Sequence, residues 1–431
     1  MFKLKVIRAL ILSVLRKKFT DRVELSRFQQ RKIKSFERNV LSRSDYYRKY
    51  FVNGSVDWER IPVITKREFM EHFDEINTVG INLDHAMETA VKAEKDRSFV
   101  SEINGITIGL STGTSGQRGL FLVSESERAQ WAAVVLSRVV KLNLLKRKKV
   151  AFFLRANSNL YSSVESSLLE FRYFDIFRPV NELLTELDEF KPDVVAAQPS
   201  VLADIAAAQK NGIINISPGQ IISFAEVLHD DIRQYVELQF KLKLTEVYQC
   251  TEGFLGVSCA HGNIHLNEDF IRIEKQYVAP GMFYPIITDF SRSSQPVVKY
   301  RLNDILVELS ESCKCGSVFT ALSRIEGRDD DVLEFVTTNG TVRLYPDLIC
   351  RKLALHISSE VKFRIIQNSH SDLDIHIDAD GEKFAEYERV FTRIINELLT
   401  AKEVCGVQLR YIRGFTIAAG EKQRRISNNI K

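Results

Sequence analysis

The chain has 431 residues, 45% of them hydrophobic and 27% charged, which is typical of a soluble globular protein of two or three domains. These values exclude disordered, collagen-like and disulfide-scaffold classes. The 60 Lys and Arg against 56 Asp and Glu give a net charge of +4, which offers no electrostatic basis for nucleic-acid binding. The few cysteines favour reduced thiols, and the amino-terminal stretch lacks a signal-peptide cleavage pattern, so we expect a cytoplasmic protein.

Residues 1–19 carry six basic side chains and no acidic one, with Leu4, Ile7, Ile11 and Leu15 at helical spacing. We predict a basic amphipathic helix that docks on the following domain. The alternative is a helix lying at the surface of an anionic membrane, so a peripheral membrane contact stays open here.

Residues 100–310 alternate short apolar strands with amphipathic helices, which predicts an α/β domain with a partly parallel sheet. The predicted strands are Val150–Leu154, Val194–Ala197, Ile221–Phe224 and Leu244–Tyr248. The predicted helices are Glu125–Leu142 and Leu202–Asn211. Before them, Ile61–Glu68 predicts an extended segment leading into a helix that Thr65 caps.

The pattern changes after Gly327, where about 100 residues predict a small α+β domain. Its predicted strands are Leu333–Val336, Val342–Leu344, Val361–Gln367, Leu373–Ile377 and a final strand at Val407–Ile412. Its predicted helices begin at Pro346 and cover Phe384–Thr400. We therefore divide the chain into residues 1–326 and 327–431, and expect the basic tail Gly420–Lys431 to be mobile.

The segment Gly109–Gly119 contains four glycines interleaved with four Ser and Thr residues. Glycines let backbone N–H groups approach an anion, and hydroxyl groups add donors to phosphate oxygens. The spacing fits neither the Walker pattern nor the dinucleotide-binding pattern. A phosphate-binding loop is one interpretation, and a flexible loop is the other.

Within this segment, Ser111–Gly116 resembles the phosphate-binding signature of the adenylate-forming superfamily, which includes acyl-CoA synthetases, luciferases and nonribosomal adenylation domains. Members join a carboxylate to ATP and form acyl-AMP and pyrophosphate. The family loop continues with Pro-Lys, whereas this chain has Arg118-Gly119, so Arg118 is the candidate for the missing charge. The resemblance implies that ATP phosphates contact Ser111, Thr112, Gly113, Thr114, Ser115 and Gly116.

Two further motifs follow in the order that this family has. Ala225-Glu226 resembles the Gly-Ala/Gly-Glu turn that lines the adenine pocket. Tyr248-Gln249-Cys250-Thr251-Glu252 resembles the Tyr-Gly-x-Thr-Glu motif. The resemblance implies that Tyr248 stacks on adenine, that Thr251 contacts the α-phosphate and that Glu252 holds Mg²⁺.

The last two motifs lie before and at the predicted domain boundary. Lys299–Asp304 resembles the Arg-Tyr-Arg-Thr-Gly-Asp segment, which implies that Asp304 accepts the ribose hydroxyls. Gly327–Asp331 resembles the Gly-Arg-x-Asp-Asp hinge, which implies that Arg328 reaches the ribose and Asp330 is the pivot of a small mobile domain. The fold that the resemblance implies is α/β, with a large amino-terminal domain of mixed sheets flanked by helices and a small α+β carboxy-terminal domain.

The catalytic lysine of this family lies on the mobile small domain, where it neutralises charge on the reacting carboxylate and α-phosphate. Lys422, in Gly420–Ile426, resembles it, although Glu421 stands where the family has glycine. The alternative is a basic tail without a catalytic role. By this resemblance the catalytic residues are Lys422, Glu252 and Arg301. If Lys422 is not the catalytic cation, Arg118 and Arg301 are the alternative candidates for that role.

Four potential metal ligands are spaced as a Cys…His…Cys-x-Cys set. Three thiolates and one imidazole complete a tetrahedron suited to structural Zn²⁺, and the alternative is that the cysteines are small buried hydrophobic residues. The predicted ligands are Cys259, His265, Cys313 and Cys315. We expect the other three cysteines, Cys250, Cys350 and Cys405, to be structural.

Within the superfamily, the phenylacetate–CoA ligase-like branch is the most similar, including relatives that adenylylate a deazaflavin cofactor. The pattern from Tyr46 to Lys66 and the Cys-x-Cys-Gly run at Cys313–Gly316 carry this resemblance. The predicted function is ATP- and Mg²⁺-dependent activation of an aryl or acyl acid to acyl-AMP, followed by transfer to CoA. The alternatives are AMP transfer to a hydroxyl group and a non-catalytic, zinc-stabilised scaffold. The sequence does not identify the acid, and a homodimer stays open. Candidate walls of the acid pocket are Gln198-Pro199-Ser200 and Ser223-Phe224.

Overall fold

The computed structural model describes residues 2–14, 19–96, 101–111, 118–140, 147–154, 169–414 and 424–430. Within these ranges the main elements are a central sheet of twelve strands, a three-stranded sheet and a four-stranded sheet. Helices accompany all three, which confirms the predicted α/β class with a large mixed sheet. None of the described helices is both long and apolar enough to cross a membrane.

The bounds of the elements are as follows. The strands of the first half are β1 (Phe51–Val52), β2 (Ser55–Val56), β3 (Glu102–Ile103), β4 (Ile106–Leu110), β5 (Leu120–Ser124), β6 (Lys148–Leu154), β7 (Leu169–Asp175), β8 (Val194–Ala197) and β9 (Gln220–Ser223). They are followed by β10 (Thr245–Cys250), β11 (Gly253–Ser258), β12 (Ile264–Leu266), β13 (Ile271–Ala279), β14 (Met282–Asp289), β15 (Val297–Arg301), β16 (Asp304–Glu308) and β17 (Ala321–Arg328). The last strands are β18 (Leu333–Thr337), β19 (Gly340–Leu344), β20 (Phe363–Ser369), β21 (Asp372–Ile377), β22 (Gln408–Arg413) and β23 (Ile426–Asn428).

The described α-helices are α1 (Phe2–Val14), α2 (Arg22–Asn39), α3 (Asp45–Arg48), α4 (Lys66–Glu71), α5 (Phe73–Ile76), α6 (Leu83–Lys95), α7 (Glu125–Arg138), α8 (Val180–Phe190), α9 (Pro199–Lys210), α10 (Asp230–Phe240), α11 (Pro346–Ala354) and α12 (Gly381–Thr400). Thr65 and Glu68 form a capping box at the start of α4, as the sequence predicts. Short 3₁₀ turns cover Leu41–Arg43 and Asp329–Asp331.

The central sheet changes from parallel to antiparallel pairing at β10. Its strand order is β13-β14-β16-β17-β12-β11-β10-β9-β8-β6-β7, and β15 pairs with β14. The strands from β10 to β7 are parallel, whereas the pairs from β10 to β13 are antiparallel. In open α/β sheets, ligands bind at the carboxyl ends of parallel strands. The ends of β9 and β10 are therefore where a site is expected.

Strand β8 shows why the parallel half was predictable. All four of its residues are buried, and alternate side chains face two different apolar clusters. Val195 and Ala197 belong to a cluster with α8, α9 and α10, whereas Val194 and Ala196 belong to one with α7. A strand covered on both faces has a continuous apolar sequence, and its predicted bounds agree with the structure.

Helix α1 packs against α7, in agreement with the docked interpretation. Val6 and Leu10 pack on the cluster around α7, and Ser13 Oγ lies 2.6 Å from Ser137 Oγ. The predicted apolar stripe is wrong at Ile11, whose side chain is 52% exposed, because the helix turns a different face inward. Leu15 lies outside the described residues.

The four-stranded sheet has the order β22-β21-β20-β23, and its apolar cluster draws only on residues 333–426. The division of the chain at residue 327 stays a prediction. Two expectations are wrong for residues 424–430, because β23 follows the strand predicted as final and pairs in parallel with β20, whereas residues 420–423 and 431 of the predicted tail lie outside the described residues. Ile426 is buried, and Asn428 Nδ2 donates to Val332 O at 2.8 Å. These tertiary contacts order a polar, basic stretch that looks mobile as sequence.

Candidate functional site

A cavity of about 600 Å³ lies at the carboxyl ends of β9 and β10. Its walls combine residues of the central sheet with residues of the carboxy-terminal part, such as Pro346, Cys350 and Arg424. Many of the predicted site residues, whether nucleotide-binding, catalytic or hinge, line it: Ser111, Ala225, Glu226, Tyr248, Thr251, Glu252, Arg301, Asp304, Arg328 and Asp330. Residues from five separated segments thus meet at one cavity.

Two tyrosine–carboxylate hydrogen bonds organise the centre of this cavity. The Tyr248 hydroxyl donates to Asp304 Oδ2 at 2.7 Å, and the Tyr300 hydroxyl donates to Glu252 Oε1 at 2.7 Å. Burial, followed by the neighbouring carboxylates, raises the pKa of both phenols far above the usual value. Both tyrosines therefore remain neutral donors that fix the two carboxylates. Tyr300 was not among the predicted site residues, although it lies in the Lys299–Asp304 motif.

The predicted hinge lies at the edge of the same cavity. Arg328 Nη2 lies 3.4 Å from Asp330 Oδ2, and Arg328 Nε lies 4.0 Å from Asp304 Oδ1. Asn303 Nδ2 donates to Asp330 Oδ2 at 2.7 Å. The guanidinium of Arg328 is therefore beside both the predicted ribose acceptor and the predicted pivot.

The turn after β9 places Ala225 in a conformation that favours glycine. Its φ is 69°, in the left-handed region where an L side chain costs free energy. The side chain of the next residue, Glu226, reaches the start of helix α9, where its Oε2 accepts a hydrogen bond from Ser200 N at 3.2 Å. The backbone at Ala225 therefore has the left-handed conformation that a glycine would adopt in this turn, although the residue is alanine.

Ser111 is the only residue of the predicted phosphate signature within the described residues, since Thr112, Gly113, Thr114, Ser115 and Gly116 lie outside them. Its Oγ accepts from Gly119 N at 2.7 Å and from Lys66 Nζ at 3.2 Å. Lys66 lines the cavity, half-buried, and burial lowers the pKa of its ammonium group. Lys66 was missed, because at the start of helix α4 its sequence context is only that of a helix cap.

Arg118 and Arg301, the alternative cations, are both engaged elsewhere. Arg118 Nη2 lies 2.5 Å from Glu94 Oε2, and its Nε donates to Ser111 O at 3.3 Å. Arg301 lines the cavity, but its Nε donates to Gln276 Oε1 at 2.9 Å and its Cζ lies 4.0 Å from the Tyr284 ring centroid. Lys422 lies outside the described residues.

A second cavity, of about 430 Å³, adjoins the first. The residues that line both cavities are Ser111, Ala225, Val247, Gln249, Cys250 and Thr251. Of the candidate acid-pocket walls, Phe224 lines this second cavity, whereas Pro199 and Ser200 line the first. Gln198 and Ser223 are buried and line neither described cavity.

Charged contacts join the carboxy-terminal part to helices α9 and α10 near the first cavity. Arg425 pairs with Asp231 through two hydrogen bonds of 3.1 and 2.8 Å, and both side chains are nearly buried. His229 Nδ1 lies 3.7 Å from Asp347 Oδ1. More exposed pairs join Lys210 to Glu360 at 2.7 Å and Lys362 to Asp204 at 3.0 Å.

The four predicted metal ligands converge on one point, with their ligand atoms within 4.8 Å of one another. Cys259 Sγ lies 3.7 Å from Cys313 Sγ, and Cys315 Sγ lies 3.2 Å from His265 Nε2. His265 Nδ1 lies 3.3 Å from Phe319 O, a partner that would orient the ring for binding through Nε2. This donor set could hold one tetrahedral metal ion.

No protein-family model matches the chain, and no curated protein matches it by sequence. Solved structures do match. A 2-hydroxyisobutyryl-CoA ligase in the postadenylation state, in complex with an acyl-AMP, aligns over 96% of this chain and 91% of its own at a TM-score of 0.67 and 16% identity. The chain has the fold of an acid–CoA ligase.

Other structures with this fold align over less of the chain. An anthranilate–CoA ligase in complex with anthranoyl-AMP covers 74% of this chain and 66% of its own, at a TM-score of 0.52 and 12% identity. Fatty acyl-adenylate ligases from E. coli and L. pneumophila cover 74% and 68%, at a TM-score of 0.53 and 10% identity. At these identities the likeness concerns the fold, and the reaction is argued from the cavity residues.

The 2-hydroxyisobutyryl-CoA ligase also aligns in its thioesterification state, in complex with an acyl-AMP and CoA. That comparison covers 95% of this chain and 89% of the ligase, with a TM-score of 0.53 and 17% identity. The TM-score is therefore higher for the postadenylation state of that ligase than for its thioesterification state.

Proposed function

We propose that this protein activates an organic acid with ATP to acyl-AMP and then transfers the acyl group to CoA. One observation carries the proposal: the cavity that brings together Tyr248, Glu252, Asp304 and Arg328 adjoins a second, apolar cavity at Thr251 and Gln249. A nucleotide in the first cavity and an acid in the second would meet at that border. Such an arrangement suits attack of a carboxylate on an α-phosphate.

In this proposal the first cavity binds ATP. Asp304 accepts the ribose hydroxyls beside Arg328, and Tyr248 lies against the adenine. Ser111 and Lys66 contact phosphate oxygens, where Lys66 takes the place of the lysine that the loop lacks. Mg²⁺ held at Glu252 would offset phosphate charge, and Tyr300 orients that carboxylate.

The reaction is a substitution at the α-phosphorus. A carboxylate oxygen of the acid forms the new P–O bond while the bond to the pyrophosphate oxygen breaks, and CoA thiolate later displaces AMP from the acyl carbon. Negative charge builds on the phosphorus oxygens in the first step. Lys422 is the cation that we expect to stabilise it.

We further propose that the Cys/His cluster holds a structural Zn²⁺. A Zn–S bond of about 2.3 Å in a tetrahedron places two sulfurs about 3.8 Å apart, and Cys259 Sγ and Cys313 Sγ lie 3.7 Å apart. Four protein ligands complete the tetrahedron, so no coordination position remains for a substrate. This cluster and the Cys-x-Cys-Gly run also support placement in the phenylacetate–CoA ligase-like branch.

ATP–pyrophosphate exchange across aryl, fatty and short acids tests the proposal. We expect Lys422→Ala to lower the exchange rate roughly 10²- to 10³-fold while ATP still binds, because the other ATP contacts remain. Lys402→Ala, an exposed lysine of the same part, is the control. Normal exchange in Lys422→Ala would show that the basic segment has no catalytic role.

Adding CoA separates the alternatives. A thioester product supports the proposed reaction, whereas AMP transferred to a hydroxyl group without thioester supports the adenylyltransferase. No exchange with any acid, together with no change in melting temperature at millimolar ATP, would favour the scaffold. The cytoplasmic location, the absence of nucleic-acid binding, a homodimer and a membrane contact stay predictions.

A further inference from the structure

The size of the apolar cavity bears on which acid the protein takes. An apolar cavity of about 150 Å³ holds a single benzene ring, and the cavity here has about 430 Å³. Its walls come from α6, β4, β5, α7, β6, β7 and β8 and from the ends of β9 and β10. It therefore has room for a ligand much larger than one ring.

Hydrocarbon side chains form most of the cavity wall. Phe152 stacks on Phe224 with ring centroids 5.1 Å apart and 8° between the ring planes, and its ring centroid lies 5.2 Å from that of Phe171 in a tilted arrangement. Helix α7 adds Trp131 and Val135, with further aliphatic residues beside them. A hydrocarbon that enters this space would lose its contact with water on every side that these residues cover.

The charged groups in the described part of the wall have partners within the chain, except that the buried Arg292 Nε has none. Glu127 accepts hydrogen bonds from Ser293 N and Ser294 N at 2.6 and 3.0 Å. Asp289 Oδ1 accepts from Ser291 N at 2.8 Å. Arg292 donates to two backbone carbonyl groups, those of Glu252 and Leu122.

The remaining charged pair is Arg118 and Glu94, 2.5 Å apart. A second carboxylate on the ligand would have to displace one of these partners or reach the single buried donor Arg292 Nε. The cavity thus suits a ligand whose single charge lies at the border with the nucleotide cavity.

We propose that the acid is a monocarboxylate with a bulky hydrocarbon skeleton, larger than one aromatic ring. This inference rests on the proposed function. The carboxylate lies at the border formed by Thr251 and Gln249, and the hydrocarbon extends toward Phe152 and Trp131. A fatty chain and a fused or linked ring system share this chemistry.

Binding without ATP tests the inference independently of the reaction. The probe is cis-parinaric acid, a fluorescent 18-carbon acid, displaced by saturated acids of increasing length, by benzoate, by naphthoate and by dicarboxylates. Each methylene that becomes buried should tighten binding about fourfold, until the cavity is filled. Naphthoate should compete better than benzoate, and dicarboxylates should compete poorly.

Two variants of cavity residues test whether the probe binds in this cavity, and a third variant is the control. Val135→Trp fills part of it and should weaken binding of the long acids at least tenfold, while short acids and the ATP-induced rise in melting temperature are unchanged. Val91→Trp adds the same ring at an exposed position of α6 that does not line the cavity. Phe152→Leu enlarges the cavity and should shift the preferred chain length upward, which keeps the test usable if the tryptophan variant does not fold.

The outcomes separate this inference from the proposed function. Equal affinity for acetate, benzoate and long acids, a preference for dicarboxylates, or an unchanged affinity in both cavity variants would overturn it. Tight binding of long acids without pyrophosphate exchange would support the inference and count against the reaction. Exchange only with short polar acids would support the reaction and refute the inference.

Discussion

Arg425 and Asp231 form a doubly hydrogen-bonded ion pair between the carboxy-terminal part and the first turn of α10. Arg425 precedes β23 directly, and its guanidinium also lies 5.1 Å from the Phe363 ring centroid. This residue therefore fixes the chain end both to its own sheet and to the central part.

Removing one partner of this pair should be costly. Breaking a buried ion pair leaves an uncompensated charge and costs roughly 3–5 kcal/mol, so Arg425→Ala should lower the free energy of unfolding by that order. Lys362→Ala breaks the more exposed pair with Asp204 and should cost less than about 1 kcal/mol. Urea unfolding of both variants measures the difference. Equal decreases in the free energy of unfolding would show that the Arg425–Asp231 pair contributes no more than the exposed pair.

The neighbouring His229–Asp347 contact predicts a pH dependence of stability. Burial lowers the pKa of His229, but its interactions with the Cys350 sulfur and the Asp347 carboxylate outweigh burial and raise the pKa from 6.5 to about 10. A pKa raised in the folded state means that protonation stabilises the fold. The contribution is complete below about pH 6.5 and is lost as the pH rises through about 10.

Thermal unfolding between pH 6.5 and 10 measures this effect. The wild-type melting temperature should fall across that interval more steeply than that of His229→Gln, which has no group to titrate. Parallel curves for the two proteins would contradict the raised pKa.

Metal content is the third prediction. Purified protein should contain about one Zn²⁺ per chain, and a chelator should lower the melting temperature, because metal binding to a complete ligand set adds to folding stability. Cys313→Ser should lose the metal, whereas Cys405→Ser, exposed and outside the cluster, should retain it. Metal-free protein of full stability would remove this assignment.

Lys66 is the fourth prediction. A charge-assisted hydrogen bond contributes about 1.5–3 kcal/mol, so Lys66→Met should weaken ATP binding roughly 10- to 100-fold. Arg118→Met should have a much smaller effect, because Arg118 is paired with Glu94. Calorimetric titration with ATP and Mg²⁺ compares the two, and the reverse ranking would restore Arg118 as the loop's cation.

Ala225 gives the fifth prediction. Glycine has no penalty at positive φ, so Ala225→Gly should raise the free energy of unfolding by roughly 0.5–1 kcal/mol. Ala385→Gly, at an exposed position inside α12, should instead lower it by about 1 kcal/mol. Denaturant unfolding gives both values, and a destabilised Ala225→Gly would mean that the methyl group contributes packing that outweighs the strain.

The sequence predicts elements best where one local pattern decides the structure. The strand Val194–Ala197 follows from four consecutive apolar residues, and the Thr65 cap follows from its own sequence context. Strand β23 could not be predicted, because its three residues are ordered by pairing with β20 and by the burial of Arg425. The polar local sequence predicts a mobile segment, but the tertiary contacts order it.

The candidate site divides in the same manner. Motifs pointed to Tyr248, Glu252, Asp304 and Arg328, which the structure brings to one cavity. Each tyrosine binds a carboxylate of the other motif: Tyr248 binds Asp304, and Tyr300 binds Glu252. These pairings depend on the positions of β10 and β15 in the sheet, which the motifs do not specify. The apolar cavity was not predictable, because its wall is assembled from single residues of many elements.

The Cys/His cluster has a consequence for the unfolded chain. It joins the start of the β11–β12 connection to the β16–β17 connection, so a retained ion would close a ring over residues 259–315. Ring closure of this length reduces chain entropy and destabilises the unfolded state by roughly 4 kcal/mol. The ring holds β12 to β16, whereas the antiparallel strands β11 and β17 and all of the parallel strands lie outside it. Metal-loaded protein should therefore refold β13 to β16 first, because the pairings among these strands lie within the ring and their partners stay close together.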